Sequence, residues 1–148
     1  MRALQFIYVA FLLALLPIAS LADAGPARAQ AGDELTALNA EVVRLHAAGK
    51  YSEANPLAER AVALAERLHG PDHPNVGTAL NNLGLLYRAQ ERNAEAEPIY
   101  KRYLAIREKT LGPDHPNVAT ALNNIAVMYK AQGRYRDCLL YTSDAADE

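Results

Sequence analysis

The sequence predicts an all-α fold, an α-solenoid of antiparallel helical hairpins about two and a half units long. The first sign is repetition: Gly70–Arg92 returns 42 residues later as Gly112–Arg134, with 16 identities in 23 positions. Most changes are conservative, such as Leu83 to Ile125, Gly84 to Ala126 and Arg88 to Lys130. A fainter copy comes earlier, because Gly49-Lys50-Tyr51 lies 42 residues before Glu91-Arg92-Asn93. The second sign is apolar spacing of three and four residues, as in Val76, Leu80, Leu83 and Tyr87, which marks one helical face. The third is that no segment alternates as a strand would. Units of this length cannot each bury an apolar face alone, so neighbours must stack around a continuous core.

The first copy is expected to hold a helix from about Glu34 to Ala48, a turn at Gly49-Lys50, and a second helix from Ser52 to His69. Ser52 with Asn55 three residues on resembles a weak capping box. In the second copy a helix should run from Pro74 to about Gln90, with proline at the first helical position, where its missing N–H costs nothing. Asp72 and His73 lie just outside as candidate caps. The next helix spans about Ala94–Leu111 and ends at Gly112-Pro113, a C-cap glycine followed by a residue that cannot continue the helix. The third copy keeps its first helix, about Pro116–Gln132. Its second helix is expected to be lost, leaving Leu122, Ile125 and Tyr129 partly uncovered.

The two ends read differently. Arg2 followed by the apolar run Phe6–Leu16, broken at Pro17, resembles a secretory signal peptide over residues 1–24. Small residues at Ala22-Asp23-Ala24 and at Ala29-Gln30-Ala31 allow cleavage as late as residue 31. Pro17 stops the run short of the ~20 residues a spanning helix needs, so no membrane span is expected after processing. Secretion or a periplasmic location follows, with residues 25–33 as a flexible leader. The hairpin array then occupies residues 34–137, divided as 34–70, 71–112 and a truncated 113–137. At the far end, Cys138–Glu148 resembles a translated sequencing adapter carrying a transposon end, a non-native tail that makes Cys138 uninformative.

Charge narrows the function. Between Gly32 and Asp137 there are 13 Lys and Arg against 13 Asp and Glu, well mixed. That balance argues against a nucleic-acid partner. His69, His73 and His115 have no cysteine or carboxylate cluster to complete a metal site. The acids Glu53, Glu59, Glu66, Glu95 and Glu97 alternate with Arg60, Arg67, Lys101 and Arg102, as on a solvated, ion-paired helix surface. No nucleophile–base set, phosphate loop or cofactor fingerprint occurs. The chain is expected to be neither an enzyme nor a cofactor binder.

Leu80, Leu83-Gly84 and Tyr87 on one helix, then Ala96 and Tyr100 on the next, resemble the tetratricopeptide repeat. The 42-residue unit containing LGPDHPNVATALNN is similar to its kinesin light chain type, over about Leu35–Asp137. The resemblance implies a right-handed superhelix with Leu80, Leu83, Gly84, Tyr87, Ala96, Tyr100, Leu122, Ile125, Ala126 and Tyr129 as repeat core. Val42, in place of a small residue, and Tyr103, in place of alanine, depart from the pattern and suggest a looser first copy.

In such a family the first helices line a concave groove. Asn81 and Asn123, with Asn39 in register, would then recur once per hairpin, offering donor and acceptor to an extended peptide of any sequence. Asn82 and Asn124 are weaker candidates, since paired asparagines can instead bridge neighbouring hairpins. Thr78, Leu85 and Arg88, with Thr120, Val127 and Lys130, would share that face, the two cations ready for an acidic group. The expected partner is a protein or peptide, with self-association through exposed repeat ends as a further possibility. Similar exported arrays are often joined to a caspase-like peptidase domain, so the resemblance also allows a regulatory region of a larger enzyme.

Overall fold

A computed structural model describes residues 24–144; the expected signal peptide falls almost wholly outside them. Six helices follow one another: α1 (Ala24–Ala47), α2 (Tyr51–His69), α3 (Pro74–Ala89), α4 (Asn93–Leu111), α5 (Pro116–Ala131) and α6 (Tyr135–Asp144). Among the described residues there is no strand. Each helix packs on its neighbours in sequence, and α1 also touches α3, so the hairpins stack in register.

Turns recur at the repeat period because backbone geometry demands it. Gly49, Glu91 and Gly133 occupy equivalent positions, all with positive φ (70°, 59° and 69°). Glycine adopts that geometry freely; Glu91 does so against its side chain. Gly70 and Gly112 close α2 and α4, their N–H groups bonded to the Glu66 and Glu108 carbonyls.

One core runs through the stack, from Leu35, Leu38, Val42 and Leu45 in α1 to Val118, Ile125, Met128 and Tyr129 in α5. Small residues decide how closely each hairpin closes. A Cβ on Gly84 would sit 2.7 Å from Cε1 of Tyr100, so the ring lies directly against the α3 backbone. At the equivalent positions of the first hairpin stand Val42 and Ala58, both 1% exposed. Bulk has moved from the second helix to the first, and the first copy is no less buried. Tyr103 is likewise buried.

Several expectations need correction. Helix α1 begins at Ala24, so the stretch expected as a flexible leader is helical; Arg28 donates to the Leu68 carbonyl and Ala31 packs on the core. Ser52 and Asn55 form no capping box, because α2 already starts at Tyr51 and its N-cap Lys50 makes no side-chain bond. Asn55 instead exchanges two hydrogen bonds with Gln90, the C-cap of α3. The third copy does have a second helix. α6 covers α5, with Cys138 packed on the core, so Ile125 and Tyr129 are fully buried and only Leu122 stays half-exposed.

Candidate partner-binding groove

The asparagine row is built by helix register. Asn82 Nδ2 donates to Asn39 Oδ1 at 3.0 Å, and Asn124 Nδ2 donates to Asn81 Oδ1 at 3.0 Å. The second asparagine of each pair therefore bridges back to the first asparagine of the preceding hairpin. Asn124 is 8% exposed, too buried for a ligand to reach without rearrangement, and its role is to hold α5 on α3. Asn39 Nδ2 is returned to its own helix, at the Leu35 carbonyl. Asn81 keeps its amide N–H groups on the half-exposed surface, and Asn123 is exposed.

Around these asparagines the structure shows a fuller repeat than the sequence comparison singled out. Thr36, Thr78 and Thr120 each return a hydroxyl proton to the carbonyl four residues back, at Gly32, Pro74 and Pro116. Four positions later than each asparagine come Val43, Leu85 and Val127; Val43 is 55% and Val127 42% exposed. Three positions further come His46, Arg88 and Lys130. Spacings of three, four and three place each set on one helical face. The array thus carries three rungs, each reading threonine, asparagine, aliphatic residue, basic residue. Thr36, Val43 and His46 were missed because the first copy has diverged elsewhere. The signal was available at a strict offset of 42.

Arg88 and Lys130 have no ion pair among the described residues, unlike most cations of the outer helices. Asn123, Val127 and Lys130 open into a cavity of about 550 Å³ that Tyr135 and Leu139 of α6 close from the other side. Below the groove, Glu97 of α4 accepts from Tyr129 Oη at 2.9 Å, Lys101 Nζ at 2.8 Å and Arg134 Nη1 at 2.5 Å. Burial raises its pKa, but these three hydrogen bonds outweigh burial and bring it down to about 2. Tyr100 is buried with no hydrogen-bond partner for its hydroxyl among the described residues, and burial pushes its pKa up to about 12. Among the described residues no group of three potential metal ligands occurs, and no helix is long and apolar enough to cross a membrane.

Stacked helical hairpins sharing one core, with a repeated row of side chains on the first helices, define a helical-repeat interaction scaffold. The tetratricopeptide repeat family model matches residues 33–109 and 90–141, and the chain belongs to that family. Its fold is similar to BtubC (BKLC) from P. vanneervenii, with TM-score 0.69 and 24% identity over 76% of this chain and 45% of that one. It is also similar to a Podosopora anserina putative kinesin light chain with nearly identical TPR-like repeats, with TM-score 0.66 and 24% identity, covering 75% of this chain and 52% of that one. The chain spans about half the length of these structures. No curated protein matches it. Such repeats are non-catalytic protein-interaction modules, and the described chain consists of nothing else.

Proposed function

We propose that this is an exported scaffold whose first-helix face holds an extended, acidic partner segment. The repeated rung carries this reading: Asn81 and Asn123 offer amides to a peptide backbone, with Asn39 in register but bonded to Leu35 and Asn82, while Arg88 and Lys130 await carboxylates. Val43, Leu85 and Val127 add an apolar strip beside them, a surface with no structural need to be apolar. The helices that carry the face are already packed on one core, so little ordering of the receptor opposes association. Export rests on the N-terminal apolar run alone; secretion of a tagged full-length chain tests it separately.

The groove is tested with a fluorescein-labelled extended peptide alternating glutamate and leucine. Changing Asn81 and Asn123 together to alanine should weaken binding by about 1–3 kcal/mol if both make buried bonds, while helicity is retained. Affinity unchanged in that folded variant removes the groove from the account.

A further inference from the structure

We propose that Arg107 is a specificity-determining residue of the groove, set on the rim opposite Arg88 and Lys130. The partner segment is then acidic on both sides of its extended backbone, with glutamate or aspartate at adjacent positions. This rests on the groove reading above and names the partner's pattern. Arg107 belongs to α4, yet its Nη2 donates to Thr78 Oγ1 at 3.0 Å. Thr78 is exposed and opens the second rung, so a side chain rooted on an outer helix brings its charge to the groove. Among the described residues no carboxylate pairs with Arg107, unlike Arg102 and Lys109 of the same helix. Its Nη1 makes no hydrogen bond there either, and its Nε is buried without a partner.

Packing alone does not call for a guanidinium at this place. At the offset of 42, Leu35 stands where the second copy has Gly77, and Ala65 where it has Arg107, both buried. The first copy thus fills these positions with aliphatic side chains and no charge. In the second copy glycine makes room: a Cβ on Gly77 would lie 3.3 Å from Ile106 Cγ2 and 3.4 Å from Arg107 Nε. The guanidinium also lies over the buried Tyr103 ring, 5.3 Å from its centroid. A cation held in this way loses little freedom on binding. Its position decides which side of a partner it reads. Thr78 lies three residues before Asn81, about 4.5 Å along the helix, and Arg88 seven after it, about 10 Å the other way. A backbone lying over the asparagines therefore runs between the two cations. Successive side chains of an extended chain point to opposite sides, so one acid meets Arg88 or Lys130 and its neighbour meets Arg107.

Two fluorescein-labelled peptides of equal length and composition test this on the full chain. One alternates glutamate and leucine, with every acid on one side; the other repeats Glu-Glu-Leu-Leu, with acids on both. Arg107→Gln should weaken the paired-acid peptide about fivefold and the alternating one by less than about twofold. Arg107→Lys, which keeps the charge, should recover part of that loss. Equal effects on the two peptides, or none on either, overturn the proposal. The Asn81→Ala/Asn123→Ala variant separates the rim from the groove itself. If it binds both peptides as tightly as the unaltered chain, the groove fails and the rim with it. If it weakens both while Arg107→Gln changes neither, only the rim falls. Nitrogen-15 spectra of the unaltered chain give a second reading that needs no variant. The Arg107 side-chain signal should move further with the paired-acid peptide than with the alternating one, and a signal indifferent to the paired-acid peptide also overturns the proposal.

Discussion

The two hairpin junctions share a period and a backbone but not a chemistry. At the first, Asn55 and Gln90 exchange amide hydrogen bonds, and Tyr87 Oη reaches Glu59. At the second, Glu97 stands in place of Asn55 and gathers Tyr129 and Arg134 into an ionic cluster. In both, an arginine lies over the tyrosine ring, Arg92 at 4.3 Å and Arg134 at 4.4 Å. Each arginine also pairs with an acid three residues on, Glu95 or Asp137. What stays constant is the frame: turn geometry, histidine cap, asparagine bridge. What varies does so in compensated pairs. Junction one adds a neutral amide pair where junction two concentrates charge in one carboxylate.

That contrast can be broken most sharply inside the second hairpin. Gly84→Val recreates the first-copy residue opposite an unchanged Tyr100 and should cost about 3 kcal/mol or more by overpacking. Adding Tyr100→Ala, which completes the first-copy pair, should restore part of the loss. Chemical denaturation of the single and double variants reads the coupling, and strictly additive losses would end the idea of a bulk exchange.

Next comes Glu97→Gln, expected to cost about 1–2 kcal/mol, because it removes the charge from three hydrogen bonds at a partly solvated site. Its pKa is depressed, so its contribution is complete above about 4.5 and is lost as pH falls towards about 2. Acid titration of the variant should lack that limb, whereas Asn55→Asp in the first junction should introduce none of comparable size. Asn124→Ala, which strands Asn81 Oδ1, should cost about 1 kcal/mol, and Asn82→Ala a similar amount; a loss at one junction only would show that the bridges are not equivalent. The smallest effects are gains. Tyr100→Phe removes a buried hydroxyl that has no partner, and Glu91→Gly supplies the glycine both other copies have; each should add roughly 0.5–1 kcal/mol in urea melts.

Much of the frame was legible in the sequence because it depends on residues with few substitutes. Gly70, Gly112, Pro74 and Pro116 punctuate helices wherever they fall, and a 42-residue offset exposes them. The helix of the third copy after Asp137 was not legible, since Cys138, which packs on the core, replaces Ala96, and Leu139, which stands exposed, replaces Glu97. The early start of α1 was hidden for a related reason: an alanine-rich run containing Gly25, Pro26 and Gly32 looks like a leader until Arg28 and Ala31 find partners on α2 and the core. Bridging by the paired asparagines was open in the sequence, but not which atoms pair: Asn82 bonds at an offset of 43, not 42, and only a three-dimensional register distinguishes the two. Val43 and His46 of the groove lay in plain order but in the least similar copy.

The most direct measurement is a residue-resolved NMR titration of the chain with the acidic glutamate–leucine peptide. Shifts should concentrate on Asn39, Val43, Asn81, Leu85, Arg88, Asn123, Val127 and Lys130, leaving the outward residues of α2 and α4 still. Perturbations confined to those outer helices, or spread evenly over the surface, would contradict a groove built from the three rungs.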